Sequence, residues 1–146
     1  MTTILLVCIV MLFISRIKET PSMLSENRYY EKVREVIKSN QELLNNLTYD
    51  KRIFVENFAK FAVYPYSLFM CLIYASIGAR VDSLAILFLS VMQIWTVMIT
   101  MYLQRNVSYV SLYVDDFKFY RWHFLFNVIL DYIYYPLTFV ALLMGY

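Results

Sequence analysis

Glycine, cysteine and histidine are scarce in this chain, and their scarcity excludes several kinds of chemistry. Two glycines, Gly78 and Gly145, are too few for a glycine-rich phosphate loop or a carbonyl-lined selectivity filter. The two cysteines, Cys8 and Cys71, lie within apolar runs and fit neither a disulfide framework nor a zinc site. The single histidine, His123, has no second histidine to share a metal or a haem. We therefore expect a protein that is not an enzyme and holds no cofactor or metal.

Charged residues are also few. They make up 16% of the sequence, and 61% of the residues are hydrophobic. Soluble domains have about 25% charged residues and under half apolar ones. The formal net charge of +2 is too small to indicate a nucleic-acid partner. The composition instead predicts an integral membrane protein, with membrane lipid as its first partner.

Two long apolar stretches in the middle of the chain carry this prediction. Residues 58–79 and 83–103 are joined by a turn of a few residues, and neither the run from Phe61 to Ile77 nor 83–103 contains a charge. A bilayer core of about 30 Å is crossed by about 20 helical residues. Because lipid offers no hydrogen bonds to a free backbone, the pair predicts an antiparallel transmembrane hairpin.

Two further apolar runs lie near the ends of the chain. Residues 3–14 form an unbroken apolar run that is followed by Arg16 and Lys18, which is typical of an uncleaved first helix. The sequence thus predicts an all-α integral membrane protein with four transmembrane helices, at 1–18, 61–79, 83–103 and 124–146. A cytoplasmic helical segment (19–60) separates the first two, and an interfacial connector rich in aromatic and charged residues (104–123) precedes the last.

The basic residues predict the orientation. Of the 13 Lys and Arg residues, all but Arg80 lie in 16–60 or 104–123. The positive-inside rule places those two loops in the cytoplasm and both termini outside. Abundant Phe, Tyr, Ile, Asn and Lys, with little Gly and Pro, is typical of an A/T-rich genome. We expect a bacterial inner membrane, with the mitochondrial inner membrane as the alternative.

The segment between the first two spans carries a seam with coiled-coil-like spacing. Its members recur three or four residues apart: Tyr30, Val33, Ile37, Asn40, Leu44 and Leu47. Charged residues occupy the other faces, so the segment predicts an amphipathic helix. The seam either packs on a neighbouring helix of the same chain or lies on the headgroups, or it contacts another subunit. The residue types leave these alternatives open.

Three sets of small or polar residues recur along single helix faces within the spans. A small-residue ridge in the second span predicts close helix packing: Ser67, Cys71, Ala75 and Ala79. Two polar stripes in the last two spans predict interhelical hydrogen bonds or, as the alternative, a conduction path: Ser90, Gln93, Thr96 and Thr100 in one, and Asn127, Asp131 and Thr138 in the other.

Asp131 is the most unusual residue of the spans. An ionisable group inside a span is costly and marks a candidate functional site. The alternative places it at headgroup depth or in a salt bridge, because Tyr132, Tyr134 and neighbouring aromatics are typical of the interface. In sequence, the nearest basic residues are Arg121 and His123.

Three functional hypotheses follow. The first is a non-enzymatic, oligomerising anchor or sensor subunit of a larger complex that contacts its partner through residues 19–60. In size and layout the chain resembles small bacterial exclusion, immunity and defence membrane proteins, an architectural analogy that suggests a defence system. The second is an oligomeric ion-conducting pore lined by one of the polar stripes. The third is an accessory subunit of a respiratory-type membrane complex.

Overall fold

A computed structural model describes residues 2–104 and 112–145, and every regular element in them is helical. The helices are α1 (Thr2–Leu24), α2 (Glu26–Asn45), α3 (Tyr49–Arg80), α4 (Leu84–Leu103) and α5 (Arg121–Met144), with a 3₁₀ turn at Val114–Asp116. The predicted all-α class is confirmed. Part of the predicted connector, 105–111, lies outside the described residues.

Three of these helices are long and apolar enough to cross a membrane, namely α3, α4 and α5. The predicted first span coincides with α1, which does not meet the same criterion over the described residues. Each 18-residue stretch of α1 contains Arg16, Lys18 and Glu19, because its apolar run ends after about three turns.

The predicted hairpin corresponds to α3 and α4. The two helices pack along each other on either side of a turn at Val81–Ser83. They approach closely near this turn, where a Cβ added to Gly78 would lie 3.1 Å from Ser90 Cβ. The absence of a side chain at Gly78 therefore sets the helix separation there.

The helix limits differ from the predicted ones at the other end of the hairpin. α3 begins at Tyr49 after Thr48 as N-cap, so it contains the basic stretch before the span as well as the span itself. Its 32 residues make it about 48 Å long, against about 30 Å for the 20 residues of α4. Pro65 lies inside α3 without ending it.

α1 and α5 form a second antiparallel pair. Phe13 of α1 contacts the rings of Tyr132 and Tyr135 at centroid distances of 5.6 and 5.9 Å. Arg80 Nε donates to Thr2 Oγ1 over 3.2 Å, which joins the end of α3 to the start of α1. The start of α1 and the α3–α4 turn thus share one end of the bundle, called the turn end below. The opposite end, next to α2, is called the α2 end.

The apolar core lies toward the turn end. Its buried members come from four helices and from the α3–α4 turn: Leu5, Ile9, Met70, Ile73, Tyr74, Ile77, Val81, Ile86, Tyr134, Tyr135 and Leu142. Large apolar side chains also cover the outer surface of α3, α4 and α5, as expected of helices that face lipid.

α2 lies at the other end and packs on α1 and on the 3₁₀ turn. α1 continues through Pro21 to Leu24, and Ser25 separates it from α2 in an extended conformation. α1 thus runs six residues past the predicted limit of the first span, at residue 18.

Candidate functional site

A buried ion pair joins the first and last helices of the bundle. Asp131 of α5 is 1% exposed, and its Oδ2 lies 2.6 Å from Nε of Arg16 in α1. Gln93 of α4 donates from Nε2 to Oδ1 over 2.8 Å. Among the described residues Oδ2 receives no aligned hydrogen bond, so charge alone holds it to Arg16. One carboxylate therefore connects three helices.

The pair lies well inside the bundle. Gln93 is about 14 Å along α4 from its first residue, and Asp131 is about 15 Å along α5 from Arg121, by the helical rise. Arg16 extends to this level from the end of the apolar run in α1 and keeps 24% of its side chain exposed. It also lies 3.5 Å from Glu19, which is closer to the α2 end. The cation is thus partly solvated, whereas the carboxylate is not.

Further polar groups lie between the pair and the α2 end. Thr100 Oγ1 is 2.9 Å from His123 Nε2, and Asn127 Nδ2 lies 3.2 Å from the same nitrogen. Thr96 donates to the carbonyl of Gln93 over 2.8 Å. These groups connect α4 to α5 along two helical turns. Asn127 Oδ1 is buried and has no hydrogen-bond partner within the part of the chain that the structure describes.

A layer of tyrosines lies on the opposite side of the pair. The hydroxyls of Tyr74 and Tyr135 are 2.8 Å apart, and Tyr134 OH is 3.0 Å from Ser90 Oγ. All three rings are buried, and the hydroxyls of Tyr74 and Tyr135 link α3 to α5. Beyond this layer toward the turn end the interior is the apolar core.

Two adjoining cavities occupy the polar region. The deeper one has a volume of about 160 Å³, and Asp131, Gln93 and Ser67 are among its lining residues. The second, about 510 Å³, lies between α2 and the bundle and includes Glu19 and Lys32. Five residues line both cavities: Arg16, Tyr66, Thr100, Gln104 and Asn127. The two cavities therefore share part of their lining between the α2 end and the ion pair.

Aromatic rings border the larger cavity. Tyr29 of α2 contacts Phe119 and Phe124 at centroid distances of 5.4 and 5.5 Å. Burial first, and then the neighbouring Tyr30 and Tyr120, raise the pKa of Tyr29. Its hydroxyl is therefore uncharged at neutral pH, which suits its contact with apolar rings.

The two predicted polar stripes face each other within one chain. All their described members are buried except Thr100, which is half-buried. Gln93 and Asp131 contact each other directly, and Thr138 is fully buried on α5. The helices thus use these stripes for packing between α4 and α5.

The small-residue ridge of α3 is only partly enclosed. Ser67 is buried and lines the deeper cavity, whereas Cys71 is half-buried and Ala75 and Ala79 are exposed. The buried face of α3 near the turn is formed instead by larger side chains, among them Ile73, Tyr74 and Ile77, together with Gly78.

The seam of α2 is mostly covered by the chain itself. Val33, Ile37 and Leu44 are buried. The other three members, Tyr30, Asn40 and Leu47, are half-buried. Of the alternatives for this seam, the structure favours packing within the chain.

The partner of Asp131 was not predicted. Arg121 and His123 are closer in sequence, but the charge that approaches the carboxylate is Arg16 from the other end of the chain. The sequence did contain one indication of this pair. Arg16 lies just after the apolar run 3–14, and Asp131 is the one acid within the apolar run 124–146. Two such residues lie at similar depths when their helices are antiparallel. The positions of Tyr74 and Tyr135 carried no comparable signal.

Comparison with protein-family models, curated proteins and solved structures yields no match to this chain.

Proposed function

We propose that this chain is a non-enzymatic membrane protein with four spans that acts as an oligomerising anchor or sensor subunit of a larger assembly. α1 is the fourth span in this proposal. It packs along α5, and the charge of its Arg16 is neutralised inside the bundle by Asp131. A paired charge costs far less in a low-dielectric interior than a lone one.

The observation that carries the subunit role is the amino-terminal part of α3. Residues 49–60 add about 18 Å of helix before the apolar span. Phe54 and Phe58 stack on each other there, at a centroid distance of 6.2 Å, and are 69% and 63% exposed. Charged residues such as Lys51 and Arg52 surround them, so this stretch belongs outside the hydrocarbon core. Aromatic side chains left uncovered at such a place are typical of a contact surface.

This assignment moves the proposed contact from the seam of α2 to the start of α3. The seam of α2 has little apolar surface left to offer, because Val33, Ile37 and Leu44 are already buried. The start of α3 belongs to the same segment, 19–60, and keeps its aromatic side chains uncovered. We place the cytoplasmic side at the α2 end, which holds most of the basic residues.

Catalysis has little support from the polar region. His123 uses one nitrogen, Nε2, toward both Thr100 and Asn127. The contact with Thr100 joins α5 to α4, which is a structural use of the ring. An oligomeric pore also has less support than the subunit role, because α4 and α5 bury their polar stripes against each other. The defence and respiratory settings rest on composition and layout.

Native mass after purification in mild detergent, with identification of bound proteins, tests the proposal. We expect an assembly larger than one chain, and we expect Phe54→Ser with Phe58→Ser to dissociate it while the protein still inserts. The matched control replaces two polar residues of the same stretch, Asn57→Ser with Lys60→Ser, and should leave the assembly intact. A wild-type protein that is monomeric and free of partners contradicts the proposal, as does an assembly that survives loss of both phenylalanines.

A further inference from the structure

The cavity beside the ion pair contains a buried acceptor without a partner among the described residues. Asn127 Oδ1 receives no hydrogen bond from them. Asp131 Oδ2 receives no aligned hydrogen bond from these residues but lies 2.6 Å from Arg16 Nε, and both residues line this cavity. A buried acceptor without a donor destabilises the folded state. Such atoms are ordinarily satisfied by ordered water or by a ligand that donates.

The space around these atoms suits water. Its volume of about 160 Å³ is several times the share of one water molecule in the liquid, about 30 Å³. The lining also provides Gln93, Thr96 and Thr100, so a water there would have several polar neighbours. The charges of Arg16 and Asp131 cancel, and the cavity therefore favours uncharged hydrogen-bond donors over ions.

The two ends of this space have different surroundings. Toward the α2 end it shares lining residues with the larger cavity, where Glu19 and Lys32 have side chains 45% and 50% exposed. Toward the turn end lie the Tyr74–Tyr135 pair and, behind it, the apolar core. One end is therefore bordered by exposed charged groups and the other by buried side chains.

We infer that the cavity lined by Arg16, Thr100, Asn127 and Asp131 is an aqueous binding site for water and small uncharged hydrogen-bond donors. It opens only to the face of the membrane that carries α2. The inference rests on the spanning arrangement proposed above, and it is independent of the contact at Phe54 and Phe58.

Cysteine labelling of the full chain in sealed vesicles tests this inference. Cys8 and Cys71 are first replaced by alanine, and single cysteines are then introduced. Ser39→Cys in α2 and Asp82→Cys in the α3–α4 turn mark the two faces, since both positions are exposed. A membrane-impermeant cationic methanethiosulfonate is applied from each side to Thr100→Cys, with Gln104→Cys as an independent second position. Both positions also line the larger cavity, so the charged probe does not have to enter the space beside the ion pair.

Depth is tested with iodoacetamide, a small uncharged amide, on two buried serines. Ser67→Cys lies on the deeper cavity, whereas Ser90→Cys lies beyond the hydroxyl of Tyr134. Both serines are buried to a similar extent, at 8% and 2% exposure, so the pair separates cavity access from burial. Thermal unfolding of each variant checks that the bundle is intact.

We expect Thr100→Cys and Gln104→Cys to react only from the face that labels Ser39→Cys. We expect Ser67→Cys to react with iodoacetamide at least tenfold faster than Ser90→Cys. Folded variants whose cavity cysteines react only after unfolding overturn the aqueous site, and equal reaction from both faces overturns its one-sidedness. If Ser39→Cys and Asp82→Cys label from the same face, the spanning arrangement fails and the inference fails with it.

Discussion

The two halves of the bundle are held together in different ways. Near the α2 end, Arg16, Gln93 and Asp131 connect three helices through charge and hydrogen bonds beside a polar cavity. Near the turn end, the helices are held together by apolar packing of Ile9, Ile77 and their neighbours, and by hydroxyl pairs such as Tyr74–Tyr135. Lipid offers helices no hydrophobic reason to associate, so both close packing and polar contacts are needed. The comparison shows that one half uses charge and hydrogen bonds where the other uses apolar packing.

The largest expected effect comes from breaking the ion pair in the polar half. Arg16→Gln leaves the carboxylate of Asp131 buried without a cation, and we expect it to lower the free energy of unfolding by about 3–5 kcal/mol. Asp131→Asn should cost less, because Arg16 is partly exposed and keeps Glu19 nearby. Unfolding of the purified protein in mixed micelles measures both. Arg34→Gln, an exposed cation of α2, is the control and should change stability by under about 0.5 kcal/mol.

The corresponding change in the apolar half is the removal of a core side chain. Ile77 is fully buried, and Ile77→Ala should cost about 3 kcal/mol through lost packing and the cavity left behind. Leu72→Ala, on the outer face of the same helix, should cost clearly less. The same unfolding measurement applies, and equal losses at the two positions would mean that the core does not lie where the structure places it.

A bulky side chain at the close approach of α3 and α4 tests the same half from the opposite direction. Gly78→Val places methyl groups where even a Cβ would be 3.1 Å from Ser90, and we expect a loss of about 2 kcal/mol. A paired variant, Gly78→Ala with Ser90→Gly, moves the side chain from one helix to the other and should be more stable than Gly78→Val. A paired variant that is no more stable would indicate that the two helices do not meet at this point.

The smallest expected effect concerns the layer between the halves. Tyr135→Phe removes one hydroxyl of a buried pair and should lower stability by about 1 kcal/mol. The loss should also make Ser67→Cys and Ser90→Cys more alike in their reaction with iodoacetamide, because the layer would close the cavity less well. A labelling ratio unchanged by Tyr135→Phe would assign the closure to the apolar core alone.

Much of the fold was readable from the sequence, because lipid imposes simple rules. The uncharged runs predicted the apolar parts of α3 and α4. Short-range patterns also identified the faces of α4 and α5 that carry Gln93 and Asp131. Hydropathy and helical period depend on residues a few positions apart, which is why these features are visible in a single sequence.

The pairing of helices was not readable, and the candidate site depends on it. The alternatives for Asp131 were a functional site inside the span, or a place at headgroup depth or in a salt bridge. The structure shows a salt bridge, but its partner is Arg16 of α1, which is distant in sequence. The seam of α2 left two interpretations open, and only the three-dimensional arrangement shows Val33 and Ile37 already buried. Contacts between distant segments depend on how helices order themselves around a core, which no local pattern encodes.

The most direct test of this account is a double-mutant cycle between Arg16 and Asp131, using Arg16→Gln, Asp131→Asn and the pair together. If the two charges hold α1 against α5, the double variant should be more stable than the sum of the single losses predicts, by at least about 1 kcal/mol. Losses that add to within about 0.5 kcal/mol would contradict the ion pair and, with it, the place of α1 in the bundle.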